Sequence, residues 1–121
     1  MTGGLEEILL VGLGGAIGAP LRYIVSGIVP KARNIPTGTL LVNIIGSIVL
    51  STLTFASSKN ISLHLVNIGV LGSFTTYSTF AYETSRMLEE GRTIDLILNI
   101  ILNLSLCILG VLLGHQLASL I

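Results

Sequence analysis

The chain has 121 residues, 51% hydrophobic and only 10% charged, with zero net charge and a mean hydropathy of +0.91. Soluble domains carry about 25% charged residues, so this composition excludes an ordinary soluble enzyme and defines a membrane protein, with room for four spans of roughly 20 residues. No basic stripe and no tryptophan occur, which makes nucleic acid a poor partner, and the single Cys107 reads as a buried apolar thiol with no disulfide partner in the chain.

The first span is expected over about residues 5–28. Acidic Glu6 and Glu7 stand where a cleavable signal would carry basic residues, so this run is expected to be retained. Gly12, Gly14, Gly15, Ala16, Gly18 and Ala19 give it a small-residue face that admits another backbone. Gly12-Leu13-Gly14 imitates a dinucleotide-binding turn. Its third glycine falls one position late at Gly18, however, and no acid lies between Glu7 and Glu83, so that reading fails. Pro20 is expected to kink the helix, and Arg22 and Tyr23 follow at interface depth. Pro30 to Pro36, with Lys31, Arg33 and Asn34, reads as a loop.

The second span is expected over about residues 37–56, carrying Asn43, Gly46 and Ser47, and Ser57-Ser58-Lys59-Asn60 is a short turn. The third is expected over about residues 63–87. At its centre lies Gly72-Ser73-Phe74-Thr75-Thr76-Tyr77-Ser78-Thr79-Phe80, a glycine and six hydroxyl-bearing side chains inside a membrane-length apolar run. Hydrocarbon cannot hydrogen-bond backbone, so a helix is broken at such depth only where protein or water satisfies the freed groups. Breaks of this kind mark ion or substrate sites. Glu89-Glu90-Gly91-Arg92 is the next loop, and the fourth span, about residues 94–120, carries Asn99, Asn103, Gly110 and Gly114.

The expected architecture is thus one all-α, four-helix membrane domain over 1–121, its third helix broken at mid-membrane. Short loops make neighbouring helices antiparallel. Asn43, Asn99 and Asn103 are too many polar groups for so thin a bundle to bury, and a dimer is the economical way to supply walls. Lys31, Arg33, Arg86 and Arg92 share one side of the membrane, with Arg22 near it, against Lys59 alone on the other. The positive-inside rule then makes the first and third loops cytoplasmic.

Four motifs, in order and over nearly the whole chain, resemble those of the Fluc (CrcB) fluoride channels. They are Gly14-Gly15-Ala16-Ile17-Gly18-Ala19 with Arg22-Tyr23; Pro36-Thr37-Gly38-Thr39-Leu40 with Val42-Asn43 and Gly46-Ser47; Gly72 with Thr75 to Phe80 and Glu83; and the late glycine Gly114. The resemblance implies an antiparallel, dual-topology dimer in the cell membrane, with two narrow fluoride pores. It also implies a structural Na+ at the dimer interface, held by the backbone carbonyls of Gly72 and Thr75 of each chain, as suits a hard cation.

The resemblance assigns the pore aromatics to Tyr77 and Phe80, whose ring edges carry partial positive charge. Asn43 would donate its amide to the ion, Arg22 would hold a positive potential at the vestibule, and Thr76, Ser78 and Thr79 would supply hydroxyl donors. Glu83 matches a family glutamate beside the pore. Two departures stand out. Tyr77 replaces the usual phenylalanine, and the polar track of the fourth span, usually a tyrosine and a serine four apart, becomes Asn99 and Asn103. The partner is either a second copy or a homologous chain; the one-sided loop charge favours the heterodimer, since a chain that inserts either way should show little bias.

Each residue also has a plainer reading. The Thr-Ser cluster can back-bond to the preceding turn, the aromatics can pack, Asn43 can hold helices together, Arg22 can snorkel and Glu83 can pair with Arg86. The competing functions are a small four-helix multidrug or cation exporter and an accessory membrane subunit without transport. The exporter needs an acid deep in the first span, and residues 8–28 contain none. No nucleophile-base pair suggests an enzyme.

Overall fold

The computed structural model describes residues 4–30, 35–56 and 60–121. Among them are five helices: α1 (Gly4–Ile28), α2 (Thr37–Phe55), α3 (Ile61–Phe74), α4 (Ser78–Glu89) and α5 (Thr93–Ser119). Helices α1, α2 and α5 are each long and apolar enough to cross a membrane, and the chain is a multi-pass membrane protein. Where the sequence reading has one segment over 63–87, the structure has α3 and α4 with Thr75, Thr76 and Tyr77 between them. The loop cations Lys31, Arg33 and Lys59, with Asn34 and the Ser57-Ser58 turn, lie outside the described residues.

The helix ends follow from local chemistry. The Asn60 side chain accepts the Leu63 N–H at 3.0 Å and caps α3. Between α4 and α5 the chain reverses through Gly91, whose φ of +72° is open to glycine. Arg92 donates to Asp95 at 3.0 Å and to Glu90 at 3.1 Å. Those contacts, Asp95 first, raise its pKa above the ordinary arginine value. Arg86 pairs with Glu90 at 3.5 Å across one turn. Helix α1 runs through Pro20, which is exposed, as one continuous element.

The tightest packing joins non-consecutive helices, and in parallel rather than antiparallel register. A Cβ added to Gly14 would strike the Val66 carbonyl and the Val70 amide, and one on Gly18 would strike the Val70 carbonyl and the Ser73 hydroxyl. From the other side, a Cβ on Gly69 would strike the Val11 carbonyl. Numbers rise together along both helices, so α1 and α3 run the same way. Helices α2 and α5 pair likewise: Gly110 meets Ile44 and Ile48, Gly114 meets Ile48 and Ser51, and Ser51 Oγ donates to the Val111 carbonyl at 2.6 Å. The antiparallel rule for short loops governs consecutive helices; small residues decide which helices touch most closely.

The interior is thin. Val42 is fully buried, with Leu71, Phe74 and Met87 nearly so, while most large apolar side chains face outward. Such an exterior suits lipid, which solvates it as well as a protein core would.

Candidate ion pathway at the helix break

The gap between α3 and α4 is held by a residue from another helix. The Thr76 N–H, which in a continuous helix would close on the Gly72 carbonyl, donates instead to Asn43 Oδ1 at 2.7 Å. Asn43 Nδ2 returns a bond to the Thr76 carbonyl at 3.0 Å. One carboxamide on α2 thus takes the place of a neighbouring peptide and satisfies both backbone groups of Thr76. The Thr76 hydroxyl then accepts the Thr79 N–H at 3.1 Å, capping α4, and lies 3.0 Å from the Thr79 hydroxyl and 3.3 Å from that of Ser78.

These diversions release two carbonyls. With the amides of Thr76 and Thr79 turned elsewhere, the oxygens of Gly72 and Thr75 lose the N–H groups that would close a helix on them. Gly72 itself lies inside α3, is exposed, and a Cβ there would meet nothing within 4 Å. The hydroxyls of Ser73 and Thr75 back-bond to the preceding turn, at 2.8 Å to Gly69 and 3.1 Å to Leu71. The plain reading of the cluster therefore holds for its first two hydroxyls, while Thr76, Ser78 and Thr79 bond among themselves.

Two cavities flank Thr76, which lines both. The smaller, about 210 Å³, is walled by Arg22, Tyr23, Ser26, Thr39, Val42, Thr76 and Thr79. The Arg22 Nε is buried and has no hydrogen-bond partner among the described residues. The larger is an open groove of about 520 Å³, whose walls include Asn43, Ser47, Tyr77, Phe80, Asn103 and Cys107. Tyr77 is 79% exposed, and its ring meets that of Phe80 with centroids 5.9 Å apart and planes tilted by 53°.

The residues singled out in the sequence thus divide. Arg22, Thr76 and Thr79 gather at the small cavity, and Asn43, Thr75, Thr76, Tyr77, Phe80 and Asn103 at the groove. Ser78, Glu83, Gly72 and Asn99 line neither. Asn99 is fully buried, donating from Nδ2 to Thr84 Oγ1 at 3.1 Å. Asn103 Nδ2 donates to the Asn99 carbonyl at 2.9 Å and to Asn99 Oδ1 at 3.1 Å. Asn43 Nδ2 reaches Asn103 Oδ1 at 3.5 Å.

Sequence reasoning missed Thr39, Thr84 and Cys107. Cys107, read as a buried apolar thiol, is half-buried in the groove wall; its place four residues after Asn103, on the same helical face, was the available signal.

An all-helical multi-pass membrane protein with polar groups gathered between α3 and α4 is the class that fold and site define. Residues 9–115 match the family described as CrcB-like protein, Camphor Resistance (CrcB). The chain is 62% identical to Fluoride-specific ion channel FluC 3 of Methanosarcina acetivorans over 84% of its own length and 92% of the relative's. It is 55% identical to FluC 1 of Methanosarcina barkeri over 96% and 100%, and 42% identical to FluC of Methanocaldococcus jannaschii over 94% and 95%. The chain belongs to the CrcB-like family.

Proposed function

We propose that this chain forms a fluoride-selective, passive channel of the cell membrane that lets accumulated fluoride leave the cell, and that it is not an enzyme. The observation that carries this reading is the helix break pinned by Asn43 between two cavities, in a chain whose curated relatives are named fluoride-specific ion channels. Conduction needs binding that is favourable yet escapable. Fluoride is small and strongly hydrated, so a path for it must replace water with several weak donors. One amide hydrogen of Asn43 points at Asn103 across a long 3.5 Å contact, which an ion in the groove can share. The Thr76, Ser78 and Thr79 hydroxyls and the edges of Tyr77 and Phe80 add further donors. Arg22, its Nε unpartnered beside the small cavity, supplies a positive potential that gathers anions. Glu83, half-buried on α4, has a pore-adjacent role.

The channel is an antiparallel dimer, and its third membrane segment is broken at mid-membrane depth. Asn43, Ser47, Thr75, Thr76 and Asn103 line a groove open to the outside of the chain. Their hydrogen bonds are met within the chain, and a second chain laid against the open side of this groove would close it into a pore. The released Gly72 and Thr75 carbonyls fit a hard cation: two from each chain would give a structural Na+ four backbone oxygens, and open space at Gly72 leaves room for the approach. The one-sided loop charge favours a homologous partner over a second copy. An exporter is disfavoured because the acids of α1, Glu6 and Glu7, are confined to its first turn.

The test is growth of cells stripped of their own fluoride export, on rising fluoride, with this chain expressed alone or beside a homologous chain. Rescue is expected in at least one arm. Failure of both, with the protein present in the membrane, would leave the accessory-subunit reading.

A further inference from the structure

We infer that Asn99 and Thr84, which touch neither cavity, are positioning residues that orient the Asn43 amide through Asn103 and so aim the donor presented at the helix break. This rests on the channel reading given above. Four hydrogen bonds run in one direction: Thr76 N–H to Asn43 Oδ1, Asn43 Nδ2 to Asn103 Oδ1, Asn103 Nδ2 to Asn99 Oδ1, and Asn99 Nδ2 to Thr84 Oγ1. Each carboxamide accepts on its oxygen and donates from its nitrogen.

The direction is forced at both ends. The Thr76 peptide fixes which end of Asn43 is oxygen, because the N–H and the carbonyl of Thr76 are both engaged. Asn103 Nδ2 also lies 2.9 Å from the Asn99 main-chain carbonyl, which only accepts, so the oxygen of Asn103 must face Asn43. The oxygen of Asn99 then takes the Asn103 donor, leaving its own nitrogen for Thr84. Asn99 is fully buried and Asn103 nearly so. In a low-dielectric interior such bonds polarise one another, and an unpaired group is costly. Removing the last acceptor at Thr84 leaves Asn99 Nδ2 without its partner, and the disturbance reaches Asn43 only through the shared Asn103 amide, whose bond to the Asn99 main-chain carbonyl remains.

Helix glue alone would be a simpler role for these side chains, and the two roles differ in what they disturb. Glue sets how much folded protein there is. Positioning sets the fluoride-to-chloride ratio per folded molecule and the protection of the backbone at the break.

The experiment compares wild type with Thr84→Val, Thr84→Ser and Asn99→Leu. Each is reconstituted in liposomes for fluoride and chloride efflux, normalised to folded protein, and each is followed by amide hydrogen exchange across residues 75–79. The expected result is a roughly threefold to tenfold fall in the fluoride-to-chloride ratio for Thr84→Val and Asn99→Leu, the worth of one ordinary hydrogen bond. Faster exchange at the break should accompany it, while Thr84→Ser behaves as wild type. Wild-type ratios and wild-type exchange in both Thr84→Val and Asn99→Leu would overturn the inference. If Asn99→Leu fails to fold, Thr84→Val decides. If wild type carries no fluoride, the channel reading fails separately, and the exchange measurement still decides the ladder.

Discussion

In the α1–α3 pair, glycine backbones touch directly and no side-chain hydrogen bond crosses among the described residues; in the α2–α5 pair, glycines also permit close approach, but Ser51, Asn43 and Asn103 bond across it. Both pairs are parallel and both use small residues. The first tolerates no added atom, because what a Cβ would strike is largely main chain, which cannot turn aside. The second carries polar side chains at membrane depth, each obliged to find a partner. Along the dry α1–α3 seam, the last packed glycine of α1 is Gly18, against Val70 and Ser73, just before Phe74.

The largest effect should come from the dry seam. Gly18→Leu would drive a side chain into the Val70 carbonyl and should abolish a monodisperse folded protein on size-exclusion chromatography. Gly18→Ala should cost at least about 1–3 kcal/mol in thermal unfolding, the usual penalty of overpacking. Next comes the polar seam. Asn43→Leu, close in volume, leaves the Thr76 N–H and carbonyl without their partners, at about 1–3 kcal/mol for each group. Fluoride efflux should fall by at least about tenfold while the α1–α3 pair stays folded.

Gly72→Ala separates the single chain from the proposed dimer. A Cβ there meets nothing within 4 Å of this chain, so monomer stability should be unchanged. Any weakening, read as dimer mass in detergent, then belongs to the interface and the proposed Na+ site. Tyr77→Phe should do less. The ring and its contact with Phe80 are kept, so its donor edge remains and efflux should stay within about twofold of wild type. Gly12→Ala should do least. Gly12 shares α1 with Gly18 but faces open space, and alanine there should be neutral or add up to about 1 kcal/mol of helix stability.

That last contrast marks the limit of what the sequence discloses. Gly12, Gly14, Gly15 and Gly18 look alike in the chain, and only the rotation of α1 against α3 separates the packed pair Gly14 and Gly18 from the open Gly12 and Gly15. Three long apolar helices were legible because hydropathy is a sum over many residues. The hydroxyl cluster from Gly72 to Phe80 marked where α3 gives way to α4, but the part played by Asn43, 33 residues away from Thr76, was not visible in the spacing. Asn99 and Asn103 share a helical face by spacing, but tertiary packing buries the first completely and leaves the second on the groove wall.

The most direct test of the central claim is fluoride efflux from liposomes, read with a fluoride electrode beside a chloride control, for this chain alone and reconstituted with a homologous chain. Rapid fluoride loss with chloride retained, in either preparation, is the expected result, and the preparation that conducts identifies the partner. Retention of fluoride in both, or loss of both anions at equal rates, would contradict the account.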